Sequence, residues 1–268
     1  MTYHFMRFGV RLVLVAAILP ASAVAQSWLT RTELSFAKAT TTQEGAVVIR
    51  QSVVKKINRT ARVVVTLGPL RSSVGINAYE NTATDAYVTP TETTSIAGLV
   101  FSPRDIMRIA ANGTVTSYIR GSAMGMPEGS RIDAIAFTQG GDLIFSVDTM
   151  TEIGSVVLRK ADVGIWNGSV VGIYVSATEI GLGEDADIIA LDAVDDSIFV
   201  VLNQSGTVQG MAYRPSEILE YYRNQGLWLV NRSRAELGVS CESCELTSIA
   251  VETSPTSIFA NSFEQMED

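Results

Sequence analysis

The chain has one histidine, His4, and it lies in the N-terminal leader. No imidazole follows it. This excludes Ser-His-Asp and Cys-His catalysis, and any metal or general-base chemistry built on histidine. Cysteine is almost as scarce. Cys241 and Cys244 stand in the run Cys-Glu-Ser-Cys, and there are no others. A protein-only zinc site needs four ligands, and no further Cys or His past the leader could complete one. A redox-active CxxC opens a helix in a thioredoxin-like setting, whereas this pair precedes the strand-like run Leu246–Val251. It reads as a tight disulfide of an oxidising compartment. Phosphate loops, dinucleotide fingerprints and nucleophile elbows are absent. Lysine is confined to Lys38, Lys55, Lys56 and Lys160, too few for a polybasic surface. The net charge of −8 repels phosphate backbones, so nucleic acid is not an expected partner.

Long apolar runs are also missing. The longest, Val10–Leu19, is interrupted by Arg11 and falls short of the ~20 residues that span a bilayer. Arg7 and Arg11 before an apolar core, Pro20, and the small-residue site Ala23-Val-Ala25 read as a secretory signal peptide over residues 1–25. Losing Arg7 and Arg11 with it takes the net charge from −8 to −10. The expected product is secreted or periplasmic, monomeric, and without a membrane span after cleavage. Residues 26–44 are polar and Thr-rich and read as a lead-in. Residues 45–268 read as one domain.

Within that domain a pattern recurs. Ile132–Thr149 holds two strand-like runs around Gly140-Gly141. Asp187–Leu191 with Ser197–Leu202 repeats it, as does Leu246–Val251 with Ser257–Phe259. A weaker copy is Ile76–Tyr79 with Asp85–Val88. A second strand pair lies between copies, turning at Asn112-Gly113, Asn167-Gly168 and Asn224-Gln-Gly226. Asn-Gly between apolar runs signals a hairpin, because both central residues must take positive φ. Gly98, Gly154 and Gly210 fall at even 56-residue steps. Four short strands at a fixed period predict an all-β fold, a β-propeller. Complete units start near Ile76, Ile132 and Asp187. Two C-terminal strands, Leu246–Val251 and Ser257–Ala260, and two N-terminal ones, Gly45–Gln51 and Ala61–Leu67, then make a fourth blade shared by both chain ends. Such closure removes exposed sheet edges. A sandwich or open array competes with it. Short helical turns are expected at Pro215–Tyr222 and Ser233–Leu237.

The repeats resemble those of uncharacterised secreted proteins of environmental Gammaproteobacteria. These carry a DVV.Y strand, a FDGS..G turn, a DIDAL strand and an LLFSFDT strand. The matching stretches are Asp105–Ile109, Arg120–Gly125, Ile132–Ile135 and Leu143–Thr149. The second copy departs, with Val200-Val-Leu202 in place of the Ser-x-Asp ending. The tail Ser257–Glu264 is similar to an IF.DGFE ending on exported proteins of those bacteria. The resemblance covers roughly Ile76–Glu264. It implies export and a repeat fold, and no activity.

What remains for chemistry is carboxylate. Asp105, Asp133, Asp148, Asp162, Asp187 and Glu217 are candidates for glycoside hydrolysis, which needs two carboxyls across one cleft. Acids at strand ends also serve as turn and cap residues. Asn77, Asp133 and Asp187, with Thr247 as a fourth equivalent, are placed at the start of the first strand of each blade. There they would ring one mouth of a central channel with oxygens suited to Ca²⁺. The expected function is an exported, non-catalytic binding protein on a propeller scaffold, its partner a protein, glycan or small ligand. The alternatives are a carboxylate-based hydrolase and a structural cell-surface component.

Overall fold

A computed structural model describes the five strands between Thr32 and Thr66, then residues 75–82, 85–110, 112–233 and 246–253. The segment 1–25 expected as a signal peptide, the Cys241–Cys244 pair, the strand expected at Ser257–Ala260 and the turn expected beyond Ser233 lie outside the described residues.

The first strands are β1 (Thr32–Lys38), β2 (Thr42–Glu44), β3 (Val47–Ile49), β4 (Val53–Ile57) and β5 (Arg62–Thr66). The second group is β6 (Ile76–Asn81), β7 (Asp85–Pro90), β8 (Thr94–Ile96), β9 (Leu99–Phe101), β10 (Ile106–Ala110) and β11 (Val115–Ile119). The third is β12 (Ile132–Phe137), β13 (Leu143–Val147), β14 (Thr151–Ile153), β15 (Val156–Leu158), β16 (Val163–Trp166) and β17 (Val171–Val175). After the one-turn helix α1 (Ala177–Ile180) come β18 (Ile188–Val194), β19 (Ser197–Leu202), β20 (Gly206–Val208), β21 (Met211–Tyr213), β22 (Ile218–Tyr222) and β23 (Leu227–Arg232). The last strand is β24 (Leu246–Thr253).

These form four antiparallel four-stranded sheets: β6-β7-β10-β11, β12-β13-β16-β17, β18-β19-β22-β23 and β24-β1-β4-β5. Each sheet has a two-stranded hairpin between its second and third strands: β8-β9, β14-β15, β20-β21 and β2-β3. The innermost strands pack in a closed cycle, β6 on β12, β12 on β18, β18 on β24 and β24 on β6. A cycle of four sheets joined at their first strands is a four-bladed β-propeller. Both chain ends share one blade, because β1 pairs with β24 along its length.

The shared blade is assembled differently from expectation. One C-terminal strand joins three N-terminal ones. β1 falls in the segment 26–44 read as a polar lead-in, where only Leu34 and Phe36 around Ser35 carry the period-two signal. β4 was hidden by Lys55-Lys56, and the run read as Gly45–Gln51 supplies only the short arm β3. The helical turn expected at Pro215–Tyr222 is instead a turn leading into β22, with Ser216 at φ 65°. Among the described residues the helical elements are α1 and a 3-10 turn at Gly121–Met124. Ser176 caps α1 by accepting from the Glu179 N–H at 3.2 Å, and Gly181 ends it at φ 76°. Ser176-x-x-Glu179 is a capping box, a legible signal.

The core lies between blades. Ala78, Ala134 and Ala190 occupy one position of three inner strands and are fully buried. Their small side chains let the strands crowd together. Ile132, Ile135, Leu143 and Phe145 pack with Ala78, Ile106 and Met124 between the second and third blades. Ala134, Ile144 and Val163 pack with Ile188, Leu191 and Val200 between the third and fourth. Each such side chain is worth roughly 1.5–3 kcal/mol when fully buried, so interblade packing dominates the fold.

Candidate functional site

Each inner strand carries a bulge at its start. The pairing slips between Ile76 and Ala78, between Ile132 and Ala134, between Ile188 and Ala190, and opposite Ala37/Lys38 of β1. The extra residues are Asn77, Asp133, Ile189 and Thr247. A bulge re-aims its side chain at a barrel or propeller rim. This register corrects one of the sequence-placed positions. Asp187 stands two residues earlier, level with Gly75 and Arg131. The backbone agrees, since Thr91, Asp148 and Asn203 donate to the carbonyls of Gly75, Arg131 and Asp187. The misplacement arose because Asp187-Ile-Ile-Ala has its acid before the isoleucine, while Ile132-Asp-Ala-Ile has it after.

Asn77 and Asp133 meet across the joint between the second and third blades. The Asn77 amide donates to Asp133 Oδ1 at 2.7 Å and to the Ile132 carbonyl at 2.6 Å. Two acceptors fix its orientation, with the NH₂ end towards Asp133. Asp187 accepts from Asn203 Nδ2 at 2.9 Å and lies 3.5 Å from Lys160 Nζ. Asp148 Oδ2 lies 3.9 Å from Arg131 Nε, and Arg131 also donates to the Thr91 carbonyl at 2.8 Å. Among the described residues no three His, Cys, Asp or Glu side chains converge as a ligand set. Thr247 is described only in its backbone.

Burial dominates the electrostatics of Asp133, which is 9% exposed. It pushes the carboxyl up to about 7. The negative charges of Asp187 and Asp148 push the same way, against the Asn77 amide and Arg131. The mouth therefore holds a carboxylic acid poised near neutrality, a condition that general acids share.

Three other candidate acids have structural work. Asp105, Asp162 and Glu217 occupy one turn position before the third strand of successive blades. Each closes its turn by accepting the N–H three residues back, from Ser102, Arg159 and Arg214. The other oxygen of Asp105 accepts from the Gly121 N–H, and that of Asp162 from the Ala177 N–H, both at the start of the short helical turn that follows the blade's fourth strand. Burial opposes the charge on Asp105, but the Ser102 and Gly121 donors and Arg120 outweigh it. Its carboxyl lies below the ordinary range.

Sequence reasoning missed two features at the mouth. One is a hydroxyl seam. Thr89 and Ser146 hold one position in their second strands and donate to the carbonyls of Ile132 and Ile188 in the following blade, at 3.2 and 2.7 Å. Val201 holds that position in the fourth blade, within the departure Val200-Val-Leu202. The other is the set of hairpins. Because the second strand of each blade ends where the inner strand begins, the hairpins stand on the same face as the mouth. Their turns are tight: Ala97-Gly98 and Gln209-Gly210 take positive φ at both residues, as the type I′ turn demands. Leu99, Val100, Met150 and Val157 of this face are exposed, Val100 at 59%. A buried cluster also went unread. Glu220 accepts from Ser197 at 2.8 Å and Asn231 at 2.6 Å, and burial with the Glu220 charge pushes Tyr222 up to about 12.

No family model matches the chain, and no curated protein matches it. Among solved structures, it is similar to a protein of unknown function from Bacteroides caccae, with 12% identity over 81% of this chain and 86% of that one, at a TM-score of 0.39. It is similar to YCF48 bound to D1 peptide, with 7% identity over 74% and 71%, at 0.33. It is also similar to the Neurospora crassa Pan2 WD40 domain, with 12% identity over 70% and 48%, at 0.29. The fold assignment rests on the closed cycle of inner strands.

Proposed function

We propose that the chain is an exported, non-catalytic binding protein that takes its partner on the mouth face of the propeller. The observation that carries this is the placement of Leu99, Val100, Met150 and Val157. They are exposed on hairpins that add no strand to the blades, while the mouth's polar side chains are engaged with one another. Surface apolar groups clustered on added elements mark interaction sites. They favour a protein partner over a glycan or small ligand. Export is supported by the leader over residues 1–25 and by the family resemblance of the repeats. Among the described residues no helix is long and apolar enough to cross a membrane.

Array binding with peptides and glycans, comparing the wild-type chain with a Val100→Asp/Val157→Asp variant, tests the reading. The expected result is a tenfold or greater loss of peptide signal with an unchanged melting midpoint. Undiminished binding by the variant would move the site elsewhere.

One observation favours a second reading, a carboxylate hydrolase. Burial pushes the Asp133 carboxyl up to about 7, in the range that a glycosidase's general acid needs. It ranks second because Asp133 is nearly buried and its Oδ1 is engaged by Asn77. Turnover of a polysaccharide panel, abolished in Asp133→Asn, would replace binding with catalysis.

A further inference from the structure

We propose that Asn167-Gly168 is a self-modification site: the folded turn converts Asn167 to aspartate and isoaspartate, with release of ammonia, faster than the chain's other Asn-Gly pair, Asn112-Gly113. The turn joins β16 to β17 on the face opposite the mouth. The inference is independent of the partner surface.

The reaction needs only the turn and water. The Gly168 nitrogen bonds to Asn167 Cγ and closes a five-membered imide. The Cγ–Nδ2 bond breaks, and Nδ2 leaves as ammonia with the proton that the Gly168 nitrogen gives up. Water then opens the imide. Cleavage of the new N–Cγ bond leaves aspartate, and cleavage of the original peptide bond leaves isoaspartate. Either product carries a new carboxylate, and nothing is oxidised or reduced. Two conditions set the rate. The attacking nitrogen must be free to lose its proton, and the oxygen that gains charge, Asn167 Oδ1, must have donors aimed at it. Glycine leaves the approach open because it has no Cβ.

The two turns differ in both conditions. Gly168 takes φ 93°, and among the described residues its N–H makes no hydrogen bond, because the turn closes through the Asn167 N–H and the Val170 carbonyl. Gly113 instead donates to the Ala110 carbonyl at 2.8 Å, a bond that losing its proton would break. Asn167 Oδ1 accepts three hydrogen bonds, from the Ser169 N–H at 3.1 Å, the Ser169 hydroxyl at 3.0 Å and the Val170 N–H at 3.1 Å. Among the described residues Asn112 Oδ1 accepts one, from the Thr114 N–H at 2.9 Å. The three donors bind harder as Oδ1 becomes an anion, because a bond to a charged acceptor is about twice as strong as a neutral one.

The turn joining the same two strands of the fourth blade lacks both features. Gln225 follows Asn224, and its N–H donates to the Tyr222 carbonyl at 3.2 Å, while Asn224 Nδ2 is held by Asp196 at 3.2 Å. Asn167 and Gly168 are exposed, so water reaches the site. Conversion adds one negative charge there. Isoaspartate also inserts a methylene into the main chain of the tight loop between β16 and β17, far from the mouth hairpins.

Incubation of the purified full chain at mildly alkaline pH, native and in urea, followed by peptide mapping by mass spectrometry, tests this. In urea the two pairs are expected to convert at like rates, because each is Asn-Gly followed by a hydroxyl residue, Thr114 or Ser169. In the native protein Asn167 is expected to gain its extra mass unit roughly tenfold faster than Asn112. Ser169→Ala removes one donor and is expected to slow Asn167 about threefold, less than in a dry active site because water screens the turn. The comparison of native protein with urea needs no variant, so it stands even if the alanine chain fails to fold. A native ratio of Asn167 to Asn112 conversion no higher than the ratio in urea overturns the proposal. So does a Ser169→Ala chain with the wild-type melt that converts Asn167 at the wild-type rate.

Discussion

Asp105 and Asp133 are the same residue type, each beside an apolar strand, and the propeller treats them oppositely. Asp105 sits in a turn whose N–H groups converge on it, so its charged form is favoured although it is 6% exposed. Asp133 sits at the bulge of an inner strand, where one amide donor is set against burial and two neighbouring carboxylates. Burial does not decide the state of an acid. The donors that burial brings with it do. In a repeat protein the turn position recurs, and Asp162 and Glu217 accept the corresponding turn N–H in later blades.

The largest way to break the comparison is to remove the turn acid. Asp105→Ala leaves the Ser102 and Gly121 N–H groups without their acceptor, and roughly 2–4 kcal/mol of stability is expected to go with it. Urea unfolding checks this, and a loss under half a kcal/mol would mean water replaces the carboxylate.

The two acids also give opposite pH slopes. The native-state pKa of Asp133 is raised above the ordinary 3.8, so its stability is fully present below about pH 4 and is lost as pH rises through about 7. The Asp105 value is lowered, so its contribution is present above 3.8 and lost as pH falls through the depressed value. Asp133→Asn is expected to flatten the decline between pH 4 and 8 and to stabilise the protein above pH 7 by roughly 1–3 kcal/mol. Melting curves across that range measure it, and an unchanged slope would assign the decline to other groups.

A smaller effect sharpens the blade-to-blade contrast. Ser146→Val copies the fourth blade's Val201 into the third and deletes the bond to the Ile188 carbonyl. About 1 kcal/mol of destabilisation is expected from urea unfolding. The smallest expected effect concerns Ca²⁺. Asn77 presents its NH₂, not its oxygen, to Asp133. Added Ca²⁺ after EDTA is therefore expected to leave the melting midpoint in place. A rise by mass action would restore the mouth as a cation site.

The fold was legible where apolar alternation and turn chemistry agreed, as in Ile132–Thr149 and at Asn112-Gly113 and Asn167-Gly168. It was obscured where polar residues occupy a strand. Lys55-Lys56 in β4 and the Thr-rich flank of β1 concealed two strands of the shared blade, because pairing of β1 with β24, and of β4 with β1 and β5, supplies the order that local propensity does not. The mouth was half legible. Asn77 and Asp133 could be matched by their place in the repeat. Asp187 was matched through its acid, whereas the 56-residue step of Gly98, Gly154 and Gly210 sets Ile189 level with Asp133. The turn role of Asp105, Asp162 and Glu217 was within reach, since each stands three residues after the residue whose N–H it accepts.

The most direct measurement is a carbon-detected NMR titration of the aspartate carboxyls, with Asp133→Asn and Asp105→Asn assigning the two signals. The account predicts a midpoint near 7 for Asp133 and one below 3.8 for Asp105. An Asp133 signal that titrates in the ordinary carboxylate range, alongside Asp105, would contradict it.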